Sequence, residues 1–163
     1  MDRLWTPWRY QYISGAAGEK PSDDDCVLCR LARDEESDER NFVLHRAARN
    51  YVVLNLYPYT SGHLMIAPYR HEADLDALDK ETTDELMDLA KRAQAALRAA
   101  YSPEGFNLGM NLGRVAGAGV AGHVHLHALP RWAGDANFMS VVGETRVLPE
   151  DLPTTYKRLR ELF

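Results

Sequence analysis

The segment that most constrains this chain is His123-Val124-His125-Leu126-His127, in which a histidine occupies every second position. Such alternation is typical of a β-strand, because successive residues of a strand point to opposite faces of the sheet. The pattern therefore predicts a strand over residues 123–127, ended by Pro130, with all three imidazoles on one face. Three of the six histidines of the chain lie within these five residues.

The histidine face has three interpretations, which stay open at this point: a hydrogen-bonded polar surface, a metal site or a nucleophilic centre. A single zinc ion held by all three side chains is excluded. At about 3.3 Å per residue, His123 and His127 are rooted about 13 Å apart, whereas zinc needs each nitrogen at about 2.1 Å. A nucleophilic histidine needs one ring nitrogen to hold a proton against an acceptor while the other offers its lone pair. Because one zinc ion cannot reach all three imidazoles, at least one of the three histidines must have a separate role.

The composition excludes several classes of protein. The 163 residues predict a single domain over 1–163, with an N-terminal arm and acidic loop over 1–25 and a C-terminal tail over 136–163. The net charge of −5 argues against a general DNA or RNA binder. No apolar run reaches about 18 residues, no secretory leader is visible, and two cysteines exclude a disulfide framework. We therefore expect a cytoplasmic protein that binds neither nucleic acid nor a membrane.

Cys26 and Cys29 form a Cys-x-x-Cys pair that directly follows three aspartates, residues 23–25. Acidic neighbours disfavour the thiolate that a redox pair needs. A zinc half-site tolerates them, because the metal itself stabilises the thiolates. The sequence favours a zinc half-site and leaves a pair of buried thiols and a redox pair as alternatives.

Apolar periodicity predicts the other elements of secondary structure. Apolar runs bounded by turn residues predict strands over 42–45, 51–56, 63–68 and 106–112. An apolar stripe at helical spacing predicts a helix over 81–101, opened by a capping box of Thr82 and Glu85. A short C-terminal helix is expected, with Leu159 and Leu162 on its inner face.

A glycine-rich loop precedes the histidines, since six of the eleven glycines lie between residues 105 and 122. Residues 117–122 match Gly-x-Gly-x-x-Gly, but that dinucleotide fingerprint requires a helix next, and the histidine strand follows instead. A flexible hairpin would account for the glycines. The functional alternative is a loop whose main-chain N–H groups approach an anion beside the histidine face.

Residues 123–129 resemble the histidine-triad (HIT) pattern His-φ-His-φ-His-φ-φ, in which φ is apolar. The resemblance covers residues 26–135, and the opening Asp2-Arg3-Leu4-Trp5-Thr6-Pro7-Trp8-Arg9 together with residues 55–59 is similar to the bacterial branch of ATP adenylyltransferases and diadenosine tetraphosphate phosphorylases. It implies an α+β fold with a five-stranded antiparallel sheet per subunit, one long helix and short terminal helices. It also implies a homodimer or higher homo-oligomer.

The same resemblance implies roles for individual residues. His125 would be the nucleophile that forms a covalent nucleotidyl-histidine, His127 would contact the α-phosphate and the bridging oxygen, and His63 would orient the nucleophile through the triad backbone. Substrate contacts would come from Asn55 at the ribose, Asn111 at the phosphates and the main-chain donors of Ala118, Gly119, Val120, Ala121 and Gly122. The ligands of a structural zinc ion would be Cys26, Cys29, His71 and His123.

One departure from the family concerns the acceptor. Members that hydrolyse diadenosine triphosphate commonly have a glutamine shortly before the triad, where residues 119–122 of this chain carry neither amide nor hydroxyl. The leading hypothesis is phosphorolysis of a dinucleoside polyphosphate, with diadenosine tetraphosphate and inorganic phosphate giving ATP and ADP. The alternatives are a hydrolase of dinucleoside polyphosphates or adenosine phosphoramidates, and a zinc-stabilised nucleotide-binding module with little turnover.

Overall fold

The computed structural model describes residues 26–135 and 150–163. The expected aromatic arm and acidic loop of residues 1–25, and residues 136–149 of the expected tail, lie outside these ranges. The helices and strands are, in chain order, α1 (Val27–Arg33), α2 (Asp38–Asn41), β1 (Val43–Arg46), β2 (Asn50–Leu54), β3 (Leu64–Pro68), α3 (Lys80–Tyr101), β4 (Gly105–Met110), β5 (Leu126–Arg131) and α4 (Leu152–Arg160). The four strands predicted outside the triad and the long helix are confirmed to within two residues at each end.

The five strands form one antiparallel sheet in the order β1-β2-β3-β5-β4. Strand β5 lies between β3 and β4, so His127 faces Met65 on one side and Gly109 on the other. This arrangement confirms the expected α+β fold class. It also places the last histidine of the triad inside the sheet rather than at its edge.

The two faces of the sheet are covered by different helices. Along β2, Val52 and Leu54 join the buried cluster made with α3 and α4, whereas Tyr51 and Val53 join the cluster made with α1. Alternate residues of a strand point to opposite faces, so helices on both sides of the sheet bury this strand on both of its faces. Because Cys26 and Cys29 belong to the second cluster, the cysteine pair lies on the face opposite the long helix.

Helix α3 packs through the apolar stripe that predicted it. The buried positions include Leu86, Leu89, Ala90, Ala93 and Leu97. These positions correspond to i, i+3, i+4, i+7 and i+11, so they share one side of the helix and cover one face of the sheet. Among the helices that the structure describes, α3 included, none combines the length and the apolar character needed to cross a membrane.

The N-terminus of α3 differs from the predicted capping box. Its N-cap is Asp79, whose carboxylate accepts a hydrogen bond from the Thr82 N–H at 2.8 Å. Glu85 points to the turn between β1 and β2, where its carboxylate accepts hydrogen bonds from the main-chain N–H groups of residues 48–50. The predicted capping box of Thr82 and Glu85 is wrong, because this carboxylate satisfies the donors of a distant turn.

Helix α4 confirms the expected C-terminal helix. Its N-cap is Asp151, whose carboxylate accepts a hydrogen bond from the Thr154 N–H at 2.9 Å. Leu159 is buried against the long-helix side of the sheet. The prediction for Leu162 is wrong, because this residue lies beyond the end of the helix and is 40% exposed.

The histidine segment is a strand only in part. Strand β5 begins at Leu126 and continues through Pro130 to Arg131, so His123 and His125 precede it and Pro130 does not end it. The main chain before β5 has other partners: the Val124 N–H donates to the Glu72 carbonyl oxygen. The carbonyl oxygen of His123 accepts a hydrogen bond from the His125 ring at 2.8 Å. These bonds replace the strand ladder and correct the predicted strand over 123–127.

Candidate active site

His125 is held in one tautomer by a hydrogen bond to the main chain of His123. Its Nδ1 atom lies 2.8 Å from the His123 carbonyl oxygen. A carbonyl oxygen can only accept, so Nδ1 carries the proton and Nε2 keeps its lone pair. Burial lowers the pKa of His125, which favours the neutral ring at neutral pH. The arrangement meets the requirement for a nucleophilic imidazole.

His127 is joined to His63 by a ring-to-ring hydrogen bond. The main-chain N–H of Tyr59 donates to Nδ1 of His63 at 3.2 Å, so the proton of His63 is on Nε2. That Nε2–H donates to Nδ1 of His127 at 2.9 Å, which leaves the proton of His127 on its own Nε2. Burial, and then the charge of neighbouring His125, lower the pKa of His127 to about 4. The site therefore combines a lone pair on His125 with an N–H donor on His127, and their ring centroids are 4.8 Å apart.

The first histidine of the triad and three other side chains form a site able to hold a metal ion. The four residues are Cys26, Cys29, His71 and His123, with ligand atoms all within 4.8 Å of one another. Nδ1 of His123 lies 3.4 Å from each sulfur, and Nδ1 of His71 lies 3.1 Å from the Cys29 sulfur. Neighbouring sulfur and nitrogen ligands of tetrahedral zinc are about 3.5 Å apart for ordinary bond lengths. Two thiols with two imidazoles also match the donor preference of zinc. The residues therefore fit the ion.

The glycine loop forms one wall of a groove next to these residues. The groove has a volume of about 400 Å³ and is lined by residues 71–74, 113–114 and 121–122. Gly113 and Gly117 have positive φ angles of 79° and 89°, a conformation that glycine adopts without strain. The loop thus brings main chain, rather than bulky side chains, to the side of the groove, where Arg114 adds a positive charge and Glu72 and Asp74 add two carboxylates.

Comparison with known proteins agrees with this geometry. Residues 36–134, more than half of the chain, match the family model of the HIT domain. The chain belongs to the HIT family. The family membership inferred from the triad pattern is therefore confirmed, and the observed sheet and long helix are those of a HIT protein.

Individual HIT proteins resemble the chain over most of its length. "AP-4-A phosphorylase" of Mycobacterium tuberculosis is 38% identical over 161 residues, which are 98% of this chain and 83% of that protein. "Adenosine 5'-monophosphoramidase" of Candida albicans is 27% identical over 68% of this chain and 72% of that protein. The crystal structure of a Zn-bound histidine triad family protein from Mycobacterium smegmatis has a TM-score of 0.69 at 26% identity, over 86% of this chain and 94% of that one. The chain is an enzyme of the HIT family.

The structure divides the HIT histidines between two centres. His123 lies with the cysteines, whereas His125 and His127 lie with His63. The side chain of His63 contacts the ring of His127. The register brings the two together, because His63 precedes β3 and β3 pairs directly with the strand that carries His127. The predicted role of His63 in orienting the nucleophile through the triad backbone stays a prediction.

The predicted substrate-binding residues have different settings, and among them Asn55 contacts His63. The Asn55 side chain is part of the loop itself, since its Oδ1 accepts from the Tyr57 N–H at 2.9 Å and its Nδ2 lies 3.4 Å from Nδ1 of His63. Asn111 follows β4 at the start of the glycine loop. Residues 118–122 are half-buried apart from Gly119, which is exposed, and residues 121–122 line the groove.

Sequence reasoning missed Tyr59. Its N–H determines the tautomer of His63, and its ring lies 4.8 Å from the His63 ring and 6.3 Å from the His127 ring. The available signal was the short aromatic run of residues 57–59, placed just before the turn that leads to His63.

Proposed function

We propose that this chain transfers a nucleotidyl group at the α-phosphate of dinucleoside polyphosphates, and that its main reaction is phosphorolysis of diadenosine tetraphosphate to ATP and ADP. The observation that carries the proposal is the hydrogen bond from His125 Nδ1–H to the His123 carbonyl oxygen, which leaves Nε2 available to attack phosphorus. The name of the 38% identical relative from M. tuberculosis supports the choice of substrate and acceptor.

In the first step, the lone pair of His125 Nε2 forms a bond to the α-phosphorus as the bond from that phosphorus to the bridging oxygen breaks. ATP leaves as an anion. The Nε2–H of His127 donates a hydrogen bond to the bridging oxygen as negative charge develops there, and His63 holds that donor tautomer. The His123 carbonyl oxygen stabilises the positive charge that His125 acquires.

In the second step, an oxygen of inorganic phosphate attacks the same phosphorus and the nitrogen–phosphorus bond breaks. The product is ADP, and His125 returns to its neutral Nδ1–H form. We assign inorganic phosphate to the groove beside the glycine loop, where the main chain of residues 121–122 and the side chain of Arg114 favour an anion and the carboxylates of Glu72 and Asp74 oppose one. The main chain of residues 118–122 is assigned to the phosphates of the substrate. Asn55 is assigned to the ribose and Asn111 to the phosphates.

We assign a structural zinc ion to Cys26, Cys29, His71 and His123. Four protein ligands close the coordination sphere, so the ion would stabilise the fold and fix His123 rather than take part in the chemistry. The Nε2–H of His123 donates to the Pro68 carbonyl oxygen at 2.9 Å, which turns Nδ1 towards the sulfurs. The hydrogen bond to Pro68 therefore supports Nδ1 as the ligand atom of His123.

We also propose that two copies of the chain pair through β4. This strand lies at an edge of the sheet, and residues 107–109 at its centre are exposed. Edge strands present main-chain groups that pair readily with another strand, and Leu108 adds an apolar side chain at 41% exposure. Light scattering is expected to give the mass of a dimer for the natural chain and of a monomer for Leu108→Lys; a natural chain that is monomeric would contradict the pairing.

A hydrolase is the second candidate. It is favoured by the open, side-chain-poor stretch of residues 119–122, which also admits water, and by the similarity to the C. albicans phosphoramidase. Product analysis separates the two reactions. Diadenosine tetraphosphate is incubated with the protein, with and without inorganic phosphate. ATP and ADP that form only with phosphate support phosphorolysis, whereas ATP and AMP without phosphate would replace it by hydrolysis.

A further inference from the structure

The ring of Tyr59 covers the hydrogen-bonded pair of His63 and His127. Its centroid is 4.8 Å from that of His63 at an interplanar angle of 41°, and 6.3 Å from that of His127 at 23°, a stacked arrangement. Tyr59 is 44% exposed, so it forms part of the boundary between the pair and solvent. One aromatic side chain therefore contacts both partners of the hydrogen bond that sets the donor tautomer of His127.

Hydrogen bonds hold the main chain of the loop that carries Tyr59, both within the loop and to strand β5. The Asn55 N–H donates to the His63 carbonyl oxygen at 3.0 Å, and the His63 N–H donates to the Thr60 carbonyl oxygen at 3.2 Å. The Thr60 hydroxyl donates to the Pro130 carbonyl oxygen of β5 at 3.3 Å. These contacts fix the main chain, so the ring of Tyr59 has a defined place over the two imidazoles.

We propose that Tyr59 is a positioning residue, whose main-chain N–H sets the tautomer of His63 and whose ring keeps the His63–His127 hydrogen bond aligned and shielded from water. The proposal rests on the proposed function, in which that bond presents the Nε2–H of His127 to the substrate. The hydroxyl of Tyr59 has no part in it. The planar apolar ring is what matters.

The effect of the Tyr59 ring on the pKa of His127 can be measured because few titratable groups in the described part of the chain contact His127. His127 has Met65 and Gly109 as its cross-strand partners, and neither titrates. Within residues 26–135 and 150–163, the titratable groups that contact it are His125, His63 and Tyr59. Because burial is the main cause of the low pKa of His127, removing the covering ring admits water, favours the charged imidazole and raises that pKa.

The test uses the metal-loaded protein without nucleotide, so it does not depend on any turnover. Imidazole nitrogen and carbon resonances of His63 and His127 are followed by NMR against pH in the natural chain and in Tyr59→Ala, Tyr59→Phe and Tyr57→Ala. Tyr57 is the matched control, because it lies in the same loop and is 83% exposed. Tyr59→Leu is a second variant that keeps apolar volume without a planar ring.

Tyr59→Ala is expected to raise the pKa of His127 from about 4 towards its ordinary value of 6.5 and to weaken the Nε2–H signature of His63. Tyr59→Leu is expected to shift both measured quantities in the same direction. In Tyr59→Phe and Tyr57→Ala, the pKa of His127 and the Nε2–H signature of His63 are expected to match those of the natural chain. A Tyr59→Ala or Tyr59→Leu protein that is folded and titrates like the natural chain would overturn the proposal.

A kinetic measurement then separates positioning from substrate contact. Tyr59→Ala is expected to lower kcat for diadenosine tetraphosphate about tenfold, with little change in KM. Tyr59→Phe is expected to have the kcat of the natural chain. A raised KM at unchanged kcat would mean that the ring binds the nucleotide, and it would overturn the positioning role. If the natural chain does not cleave this substrate, the proposed function fails while the NMR result still decides the role of Tyr59.

Discussion

Nδ1 of His125 lies 2.8 Å from the carbonyl oxygen of His123, and the ring of that same His123 points its own Nδ1 at the two cysteine sulfurs. One residue therefore belongs to both centres, with its side chain in the proposed metal site and its main chain against the proposed nucleophile. A change that moves the main chain of His123 also moves the acceptor that holds the His125 tautomer. We therefore expect the proposed metal site and the proposed nucleophile to be coupled through His123.

Loss of the metal site is expected to affect stability and turnover together. Cys29→Ser removes a sulfur that lies within 3.4 Å of two imidazole nitrogens. We expect the bound zinc, measured by elemental analysis, to fall from one per chain to a small fraction. The free energy of unfolding should fall by several kcal/mol, on the order expected for a structural zinc site.

Reversible removal of zinc is the control for that substitution. A chelator should lower the thermal unfolding midpoint of the natural chain, and added zinc should restore both the midpoint and the turnover number. A Cys29→Ser protein that retains a full equivalent of zinc, or that unfolds like the natural chain, would contradict the assignment of this ligand.

The titration of His127 predicts how stability depends on pH. Its pKa in the folded chain is about 4, below the ordinary 6.5, so between these values the unfolded chain binds a proton that the folded chain does not. The contribution of His127 to the free energy of unfolding is therefore fully present above pH 6.5 and is lost as the pH falls towards 4. Allowing for partial exposure, we expect His127 to account for about 1 kcal/mol between pH 7 and pH 5.

Urea unfolding of the natural chain and of His127→Asn measures this contribution. Asparagine does not titrate, and its amide oxygen can still accept the hydrogen bond from His63. Metal-ligand titration is common to both proteins and cancels in the comparison. We expect a smaller pH dependence in His127→Asn, and equal dependence in the two proteins would contradict the low pKa of His127.

Gly62 is required by the turn that leads into His63. Its φ is +77°, and an added Cβ would lie 2.9 Å from a Leu97 methyl carbon and 3.0 Å from the Tyr101 ring. Gly62→Ala therefore combines backbone strain with a steric clash, and we expect it to destabilise the fold by about 2 kcal/mol or more in urea unfolding. Gly105→Ala is the matched control, because an added Cβ there meets nothing within 4 Å and Gly105 lies outside residues 107–109, the proposed contact between two copies. Equal effects of the two substitutions would show that the turn tolerates a side chain.

The sequence predicted the elements whose signal is local. The apolar stripe of α3 and the apolar runs of β1 to β4 depend on spacing within one segment, and the structure has them within two residues of the prediction. The joining of Cys26, Cys29, His71 and His123 was expected from family resemblance, and spacing alone left the cysteine pair with three interpretations. Local periodicity carries no information about which distant segments meet.

The predictions that failed depend on such distant partners. Glu85 was paired with the start of its own helix, but its carboxylate binds N–H groups 35 to 37 residues earlier in the chain. The strand of the triad was predicted to begin at His123, but the Glu72 carbonyl oxygen takes the N–H of Val124 and the ring of His125 takes the carbonyl oxygen of His123. The role of Tyr59 likewise requires β3 and β5 to be neighbours, which no short pattern shows.

The most direct test of the account is whether His125 carries the nucleotidyl group. The natural chain, His125→Ala and His45→Ala are each mixed with diadenosine tetraphosphate without inorganic phosphate and examined by intact mass spectrometry. His45 is the matched control, since it lies on β1 with its ring stacked on Phe163, away from the triad.

We predict an added AMP group on the natural chain and on His45→Ala, its absence from His125→Ala, and its release as ADP when phosphate is added. An AMP adduct on His125→Ala, or turnover by that variant at the natural rate, would contradict the central claim.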